Sequence, residues 1–238
     1  MKMDYVALDL ETTGLNPSRD RILEIGAVKV IGGKITDTYQ TFVNPGVPIP
    51  ERICELTGID ETMTADAASP ADAVRELIGF CKDLDLLGHN IIFDYSFIKR
   101  TAVNCDMAFD KQGVDTLKIA RKLLPDLESR SLEYLCGYYH ITQEKRHRAF
   151  EDAKASSCLY GKLLEQFYPE HSEVFRPRPL VYQIKKQGPI TNSQKRYLID
   201  LIKYHKIDTS LQIESLTKNE ASRMIDKIIL EYAKIKTR

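Results

Sequence analysis

The sequence predicts an α/β fold in which a mixed sheet is flanked by helices and followed by a small C-terminal helical module. Three observations predict it. Residues 5–43 are dominated by β-branched and alternating apolar positions, the period-two signature of strands. From residue 69 onward the apolar spacing lengthens to that of helices, with a short apolar strand interposed at Leu84–Gly88. Beyond residue 176 the balance of charge reverses.

Each element has its own reason. In Tyr5–Glu11, Val6, Leu8 and Leu10 face one way, and Tyr5, Ala7, Asp9 and Glu11 the other, so the segment is a strand. Asn16-Pro17-Ser18 is a turn. Ile22–Ile31 is a second strand, Gly32-Gly33 a hairpin turn, and Ile35–Val43 a third strand. Asn44-Pro45-Gly46, with Pro48 and Pro50, opens an irregular stretch. Ser69-Pro70-Ala71-Asp72 starts a helix that runs to about Lys82, since it offers a Ser cap, a first-position Pro and an acid in the first turn. Further helices are expected at 94–104, 117–124 (ended by Pro125), 131–139 and 149–167. The stretch from Pro169 to Pro189, holding Pro177, Pro179 and Gly188, reads as a linker or an ordered strap. Beyond it, Thr191-x-x-Gln194 and Thr217-x-x-Glu220 fit the capping box and open two amphipathic helices. The apolar stripe of the first is Tyr197, Leu198, Leu201 and Ile202. That of the second is Ala221, Met224, Ile225, Ile228 and Ile229. The expected organisation is therefore a body over 1–168, a linker over 169–190 and a basic helical module over 191–238.

Composition narrows the function classes. Of 238 residues, 43% are hydrophobic and 29% charged, which excludes a disordered chain. No apolar run approaches the roughly 20 residues of a membrane helix, and Met1–Asp4 leads into a short apolar stretch containing acids, unlike a secretory leader. The five cysteines are scattered and never spaced as CxxC, which argues for reduced thiols in a cytoplasmic protein and against a thiolate zinc site. The net charge is zero but polarised. Residues 1–175 hold 20 Lys+Arg against 28 Asp+Glu, a net −8, and residues 176–238 hold 14 against 6, a net +8. An acidic body concentrates carboxylates. A basic tail attracts phosphates, or serves only as a solvated surface.

Four acids carry the chemistry. Asp9 and Glu11 leave the same face of one strand, and two adjacent carboxylates repel unless a cation sits between them. Oxygen ligands favour Mg²⁺ or Mn²⁺ over zinc. Asp94 heads the apolar stripe Phe97, Ile98, Thr101 and Ala102, and Asp152 heads Ala155, Leu159 and Leu163, so both helical acids point inward and need a partner. A helix dipole accounts for one such acid but not for four. His147, five residues before Asp152, belongs in the loop entering the helix, where it could lean over the site and take a proton from water. The alternative is a surface histidine in the basic run Lys145–Arg148.

These residues fall in recognisable phrases. Asp9-Leu10-Glu11-Thr12-Thr13-Gly14-Leu15, His89-Asn90-Ile91-Ile92-Phe93-Asp94 and His147-Arg148-Ala149-Phe150-Glu151-Asp152-Ala153 resemble, in order and spacing, the three motifs of the histidine-type DEDD 3′→5′ exonucleases. Arg21–Val28, Leu56–Ile59 and Asp115–Leu117 agree with the flanks of those motifs. The resemblance covers about residues 4–168 and is closest to the proofreading exonuclease of bacterial DNA polymerase III, of the epsilon and PolC types. It implies a ribonuclease H-like fold and two divalent ions, Mg²⁺ or Mn²⁺, held by Asp9, Glu11, Asp94 and Asp152, with His147 as general base. It also implies that Thr12, Thr13, Gly14, Leu15, His89, Asn90 and Phe93 hold the terminal nucleotide. Read from the residues alone, Gly14 is a turn residue, Phe93 a core residue and His89 a hydrogen-bonded buried histidine. Phe150 stands where Leu is commoner, a core exchange.

The expected activity is release of nucleoside 5′-monophosphates from single-stranded or frayed 3′ ends, on DNA before RNA, in repair or proofreading. The tail does not resemble the polymerase-binding tail of the proofreading subunit, which favours a stand-alone nuclease with a DNA polymerase as a further candidate partner and no membrane role. Leu216–Ser222 resembles small helical units appended to bacterial DNA-handling proteins, and Lys195, Arg196, Lys203 and Lys206 are candidate phosphate contacts. Two other readings stand beside this one: a non-catalytic nucleic-acid or polymerase-binding subunit, which has no physical reason to keep clustered acids, and an RNA-trimming exoribonuclease, which differs in contacts to the 2′-hydroxyl.

Overall fold

A computed structural model describes residues 4–145, 147–209 and 211–236, with side chains as far as Tyr232 in the final helix. Its chain divides into two compact units, Met1–Pro45 with Pro50–Ile184, and Gly46–Ile49 with Lys185–Arg238.

The first unit is built on a six-stranded mixed sheet. Its strands are β1 (Tyr5–Thr12), β2 (Ile22–Ile31), β3 (Lys34–Phe42), β4 (Asp85–Gly88), β5 (Gln112–Asp115) and β6 (Arg178–Pro179), in the order β3-β2-β1-β4-β5-β6. The hairpins β1–β2 and β2–β3 are antiparallel, whereas β1–β4 and β4–β5 are parallel. Helices α3 (Pro70–Cys81) and α4 (Ile92–Asn104) connect and cover the sheet, as do α5 (Thr116–Leu123), α6 (Leu132–Tyr138) and α7 (Ala149–His171). The alternation in β1 separates two cores. Val6, Leu8 and Leu10 pack with residues of α3 and α4 on one face. Tyr5 and Ala7 pack with residues of α5, α6 and α7 on the other. Asp9 and Glu11 continue the Tyr5–Ala7 face, so the strand aims them at the side that α7 covers.

The short strand β4 leaves the far end of β1 unpaired on that side, while β2 pairs it as far as Thr12. The β1–β4 ladder ends at the pair Ala7 and Leu87. Beyond it the Leu10 N–H donates to Asp94 Oδ1 at 3.1 Å, so the first turn of α4 takes over where the ladder stops.

Several expectations shift. Two short helices, α1 (Glu51–Thr57) and α2 (Glu61–Thr64), occupy the stretch read as irregular. Asp60 caps the second, accepting from Met63 N–H at 3.0 Å. Strand β5 is an addition to the expected elements, because Gln112-Gly113-Val114-Asp115 holds a single large apolar side chain, whereas the equally short β4 is marked by its leucines. Helix α7 passes Phe167 and holds Pro169 inside it. Beyond α7, the turn at Ser172–Phe175 buries Phe175, whose ring centroid lies 6.0 Å from that of Tyr160 and 5.8 Å from that of Tyr168. This packing outweighs the local cost of the proline. Residues 178–179 pair with β5, and Leu180 N–H donates to Lys111 O at 2.9 Å, so the first half of the expected linker includes an edge of the first unit's sheet.

The second unit contains α8 (Asn192–His205) and α9 (Lys218–Lys236) around a core of Leu198, Leu216, Ala221, Ile225 and Ile228. Both capping boxes form. Gln194 N–H donates to Thr191 Oγ1 at 3.2 Å while Thr191 N–H donates to Gln194 Oε1 at 3.1 Å. Thr217 N–H donates to Glu220 Oε2 at 2.8 Å. Tyr197 and Ile229, read as part of the apolar stripes, are exposed at their edges.

Candidate active site

Four elements deliver the site. Strand β1 brings Asp9 and Glu11, the β4–α4 connection brings His89, the loop before α7 brings His147, and the first turn of α7 brings Asp152. These five side chains, with Gln143, line one pocket of about 300 Å³. Donor atoms of Glu11, His147 and Asp152 lie within 4.8 Å of one another. Asp94 is not on the pocket wall. It is 3% exposed and sits on α4 beneath β1, where its carboxylate acts on Asp9 as the foremost neighbouring charge. His147 has a φ of 53°, a left-handed backbone that histidine tolerates better than branched residues, and this turn separates it from the helix that begins at Ala149.

The electrostatics are those of a cation site. Burial, and then Asp94, Asp152 and Glu11, hold the Asp9 carboxyl well above the usual carboxylate range. Burial, then Asp152 and Glu24, push Glu11 up to about 8, with Arg148 pulling the other way. Asp94 is raised well by burial, against the bond from Leu10 N–H. Asp152 is raised by burial, opposed by the bond from Gln143 Nε2 to its Oδ1 at 2.7 Å. Carboxylates that raise one another in this way cannot all ionise unless positive charge is supplied. A set of carboxylate oxygens plus one imidazole, in a small pocket, fits a hard divalent cation.

The remaining expected site residues are distributed differently. Thr12 and Thr13 are buried and locally committed: Thr12 Oγ1 donates to Gly14 O at 2.7 Å, and Thr13 Oγ1 accepts from Arg21 N–H at 2.9 Å. Gly14 is a close-approach glycine, since a Cβ there would lie 2.5 Å from Asp20 Oδ2. Leu15, three residues beyond the end of β1, is 80% exposed. Both ring nitrogens of His89 are engaged, Nε2 with Arg130 O at 2.8 Å and Nδ1 with Thr116 Oγ1 at 2.9 Å, and burial lowers its pKa. His89 is thus both a wall of the pocket and a pinned histidine. Asn90, at φ 73°, lines a neighbouring pocket of about 830 Å³ that shares His89, Ser131 and Leu132 with the first. Its N–H donates to Asp115 Oδ1 at 3.0 Å. Phe93 packs on Phe97, with centroids 5.1 Å apart, and is not on the pocket wall.

Two groups of contributors escaped the sequence reading. Gln143 lies in a loop with no periodic signal, so nothing in the sequence marks it as the partner of Asp152. Glu24 did carry a signal, an acid inside the apolar run Ile22–Ile25, and it is fully buried.

A family model described as Exonuclease (RNase_T) matches residues 6–160, well over half of the chain. The PolC-type DNA polymerase III of Caldanaerobacter subterraneus subsp. tengcongensis is 42% identical over 163 residues, which are 68% of this chain and 12% of that protein. The PolC-type DNA polymerase III of Bacillus subtilis is 37% identical over 164 residues, 68% of this chain and 11% of that protein. The chain therefore spans about an eighth of the length of these relatives. Among solved structures, Exonuclease X in complex with 5′ overhanging duplex DNA is similar with a TM-score of 0.55 and 24% identity, over 68% of this chain and 92% of that one. E. coli Exonuclease I in complex with a dT13 oligonucleotide is similar with a TM-score of 0.62 and 18% identity, over 72% and 43%. These two likenesses establish the ribonuclease H-like exonuclease fold. From the matched family model and the carboxylate-lined pocket it follows that this chain belongs to the exonuclease family, whose nuclease hydrolases depend on divalent metal.

Proposed function

We propose that the chain is a 3′→5′ exonuclease that removes nucleoside 5′-monophosphates from the 3′ ends of DNA, in repair or proofreading. The observation that carries this reading is the convergence of Asp9, Glu11, Asp152 and His147 on one pocket, with Asp94 buried beneath it. Asp9, Glu11, Asp94 and Asp152 would hold two divalent ions, Mg²⁺ or Mn²⁺. Bound there, such ions neutralise the developing charge on a phosphate and make a coordinated water more acidic. The chain's own residues do the rest. His147 accepts the proton of the attacking water as its oxygen forms a bond to phosphorus. The phosphorus–oxygen bond to the 3′-oxygen of the preceding nucleotide breaks, and that oxygen takes a proton from solvent to become the new 3′-hydroxyl. Gln143 and the backbone N–H of His147 hydrogen-bond to the Asp152 carboxylate and fix its orientation. Thr12, Thr13, Gly14, Leu15, His89, Asn90 and Phe93 are the proposed contacts of the terminal nucleotide.

The substrate is a single-stranded or frayed end, and a DNA polymerase is a second partner suggested by the PolC-type relatives. Among the described residues no helix is long and apolar enough to cross a membrane, and the proposed location is cytoplasmic. On the second unit, Arg196, Lys203 and Lys206 are the proposed phosphate contacts, whereas Lys195 Nζ is already 2.5 Å from Glu214 Oε1. The test is degradation of a 5′-labelled single-stranded DNA and of a matched RNA, each with Mg²⁺, Mn²⁺ or EDTA, beside Asp9→Ala. A metal-dependent ladder that Asp9→Ala abolishes is the expected result, faster on DNA. Faster loss of RNA points to the RNA-trimming reading, and binding without cleavage of either points to the non-catalytic one.

A further inference from the structure

Glu24 is fully buried in β2, and it does not line the catalytic pocket. Four donors converge on its carboxylate. Arg148 gives Nε at 3.0 Å and Nη2 at 2.8 Å, Gln40 gives Nε2 at 2.8 Å, and Ala149 gives its backbone N–H at 3.2 Å. A carboxylate stripped of water needs such a set. The Ala149 N–H is one of the unpaired donors at the start of α7, where a helix favours an anion.

A second observation places the same helix end against the same strand. A Cβ on Gly26 would lie 2.1 Å from Phe150 N and 2.2 Å from Ala149 C, so the backbones of β2 and α7 touch at this point. Gly26 is the register partner of Asp9, and Glu24 that of Glu11. The docking point of α7 is thus set opposite the two strand carboxylates. Arg148 is also the neighbour of His147 in the chain, and its carbonyl accepts the Asp152 N–H at 3.0 Å. Any movement of Arg148 therefore carries both His147 and Asp152 with it.

We propose that Glu24 is a positioning residue which, through Arg148 and Ala149, holds His147 and Asp152 against Glu11 so that the pocket captures a divalent ion. Glu24 itself is not a ligand, because the four donors already occupy its oxygens. This role rests on the metal-dependent nuclease reading, and the experiment separates the two.

Mn²⁺ is titrated into the 238-residue chain without substrate, for wild type, Glu24→Gln, Arg148→Met and Arg148→Lys, alongside thermal melts and the kcat and KM of cleavage. Glutamine keeps the shape of Glu24 but turns one acceptor into a donor facing other donors. Loss of an outer-shell partner of a metal site costs about 10–100-fold, so Glu24→Gln and Arg148→Met should each weaken Mn²⁺ binding by at least about tenfold and lower kcat similarly, with KM little changed. Arg148→Lys should fall between them and wild type, since it keeps the charge without the fork. A purely structural role would lower the melting temperature and leave the Mn²⁺ affinity of the folded protein unchanged. That outcome overturns the positioning role, and if Glu24→Gln does not fold, Arg148→Met, on a partly exposed side chain, decides it. Absence of Mn²⁺ binding by wild type overturns the nuclease reading instead.

Discussion

The two units of this chain solve opposite problems. The first buries Asp94, Glu24, Asp115 and Arg100, polar groups that cost stability unless each is bonded. The second buries mainly aliphatic side chains around Leu198 and Ile225, and its buried Thr217 and Glu220 satisfy one another's helix cap. The difference teaches where function is written. In the second unit nearly every buried residue is explained by packing or capping. In the first, the carboxylates Asp9, Glu11, Asp94 and Asp152 are a concentration of like charge that packing alone would never assemble.

The contrast can be broken at several levels. The largest effect is expected from Asp94→Asn, which keeps the volume and removes the buried charge. Metal-dependent cleavage should fall to the rate seen with EDTA, measured on labelled DNA. Residual metal-stimulated activity near wild type would show that the buried acid is not part of the cation site. His147→Gln should lower kcat on the order of 10²–10⁴-fold, the usual contribution of a general base, while Mn²⁺ binding is affected less. Loss of activity through KM alone would instead assign His147 to substrate binding.

Proton competition gives a graded test. Without metal the Glu11 carboxyl is pushed up to about 8, so below that pH a proton occupies a ligand position. Metal affinity should therefore rise with pH from 6 to 8, by up to about tenfold per unit for each proton displaced. Calorimetry at several pH values measures this, and an affinity that is flat across that range would contradict the raised carboxylates. Gly26→Ala should destabilise the first unit by about 1–3 kcal/mol, the typical cost of overpacking, because the backbones of Ala149 and Phe150 cannot yield like a flexible side chain. Thr217→Ala should cost about 1 kcal/mol through its cap and leave cleavage within about twofold of wild type. An equal loss of cleavage would tie the second unit's fold to catalysis.

Much of this was legible in the sequence, for physical reasons. Period two in Tyr5–Glu11 identified the strand and the face that Asp9 and Glu11 share, and the stripes behind Asp94 and Asp152 showed that both acids point inward. The two capping boxes marked the starts of α8 and α9. What stayed hidden depends on contacts distant in the chain. Strand β5 and the edge pair at Arg178–Pro179 exist only because a neighbouring strand receives them. The continuation of α7 through Pro169 accompanies the burial of Phe175 against Tyr160 and Tyr168. Gln143 sits in a loop whose pairing with Asp152 leaves no pattern, and the partners of Glu24 lie 16, 124 and 125 residues away. The pocket that Asn90 lines and the stacking of Phe93 on Phe97 likewise depend on contacts that the motif itself does not carry.

The most direct measurement of the central claim follows a single-stranded DNA labelled at its 3′-terminal nucleotide, mixed with excess protein and Mg²⁺ and sampled over the first turnover. The account predicts that the label leaves at once as a nucleoside 5′-monophosphate, only when metal is present, and that Asp94→Asn abolishes its release. Release of the label within a longer fragment, or only after shortening from the 5′ end, would contradict it.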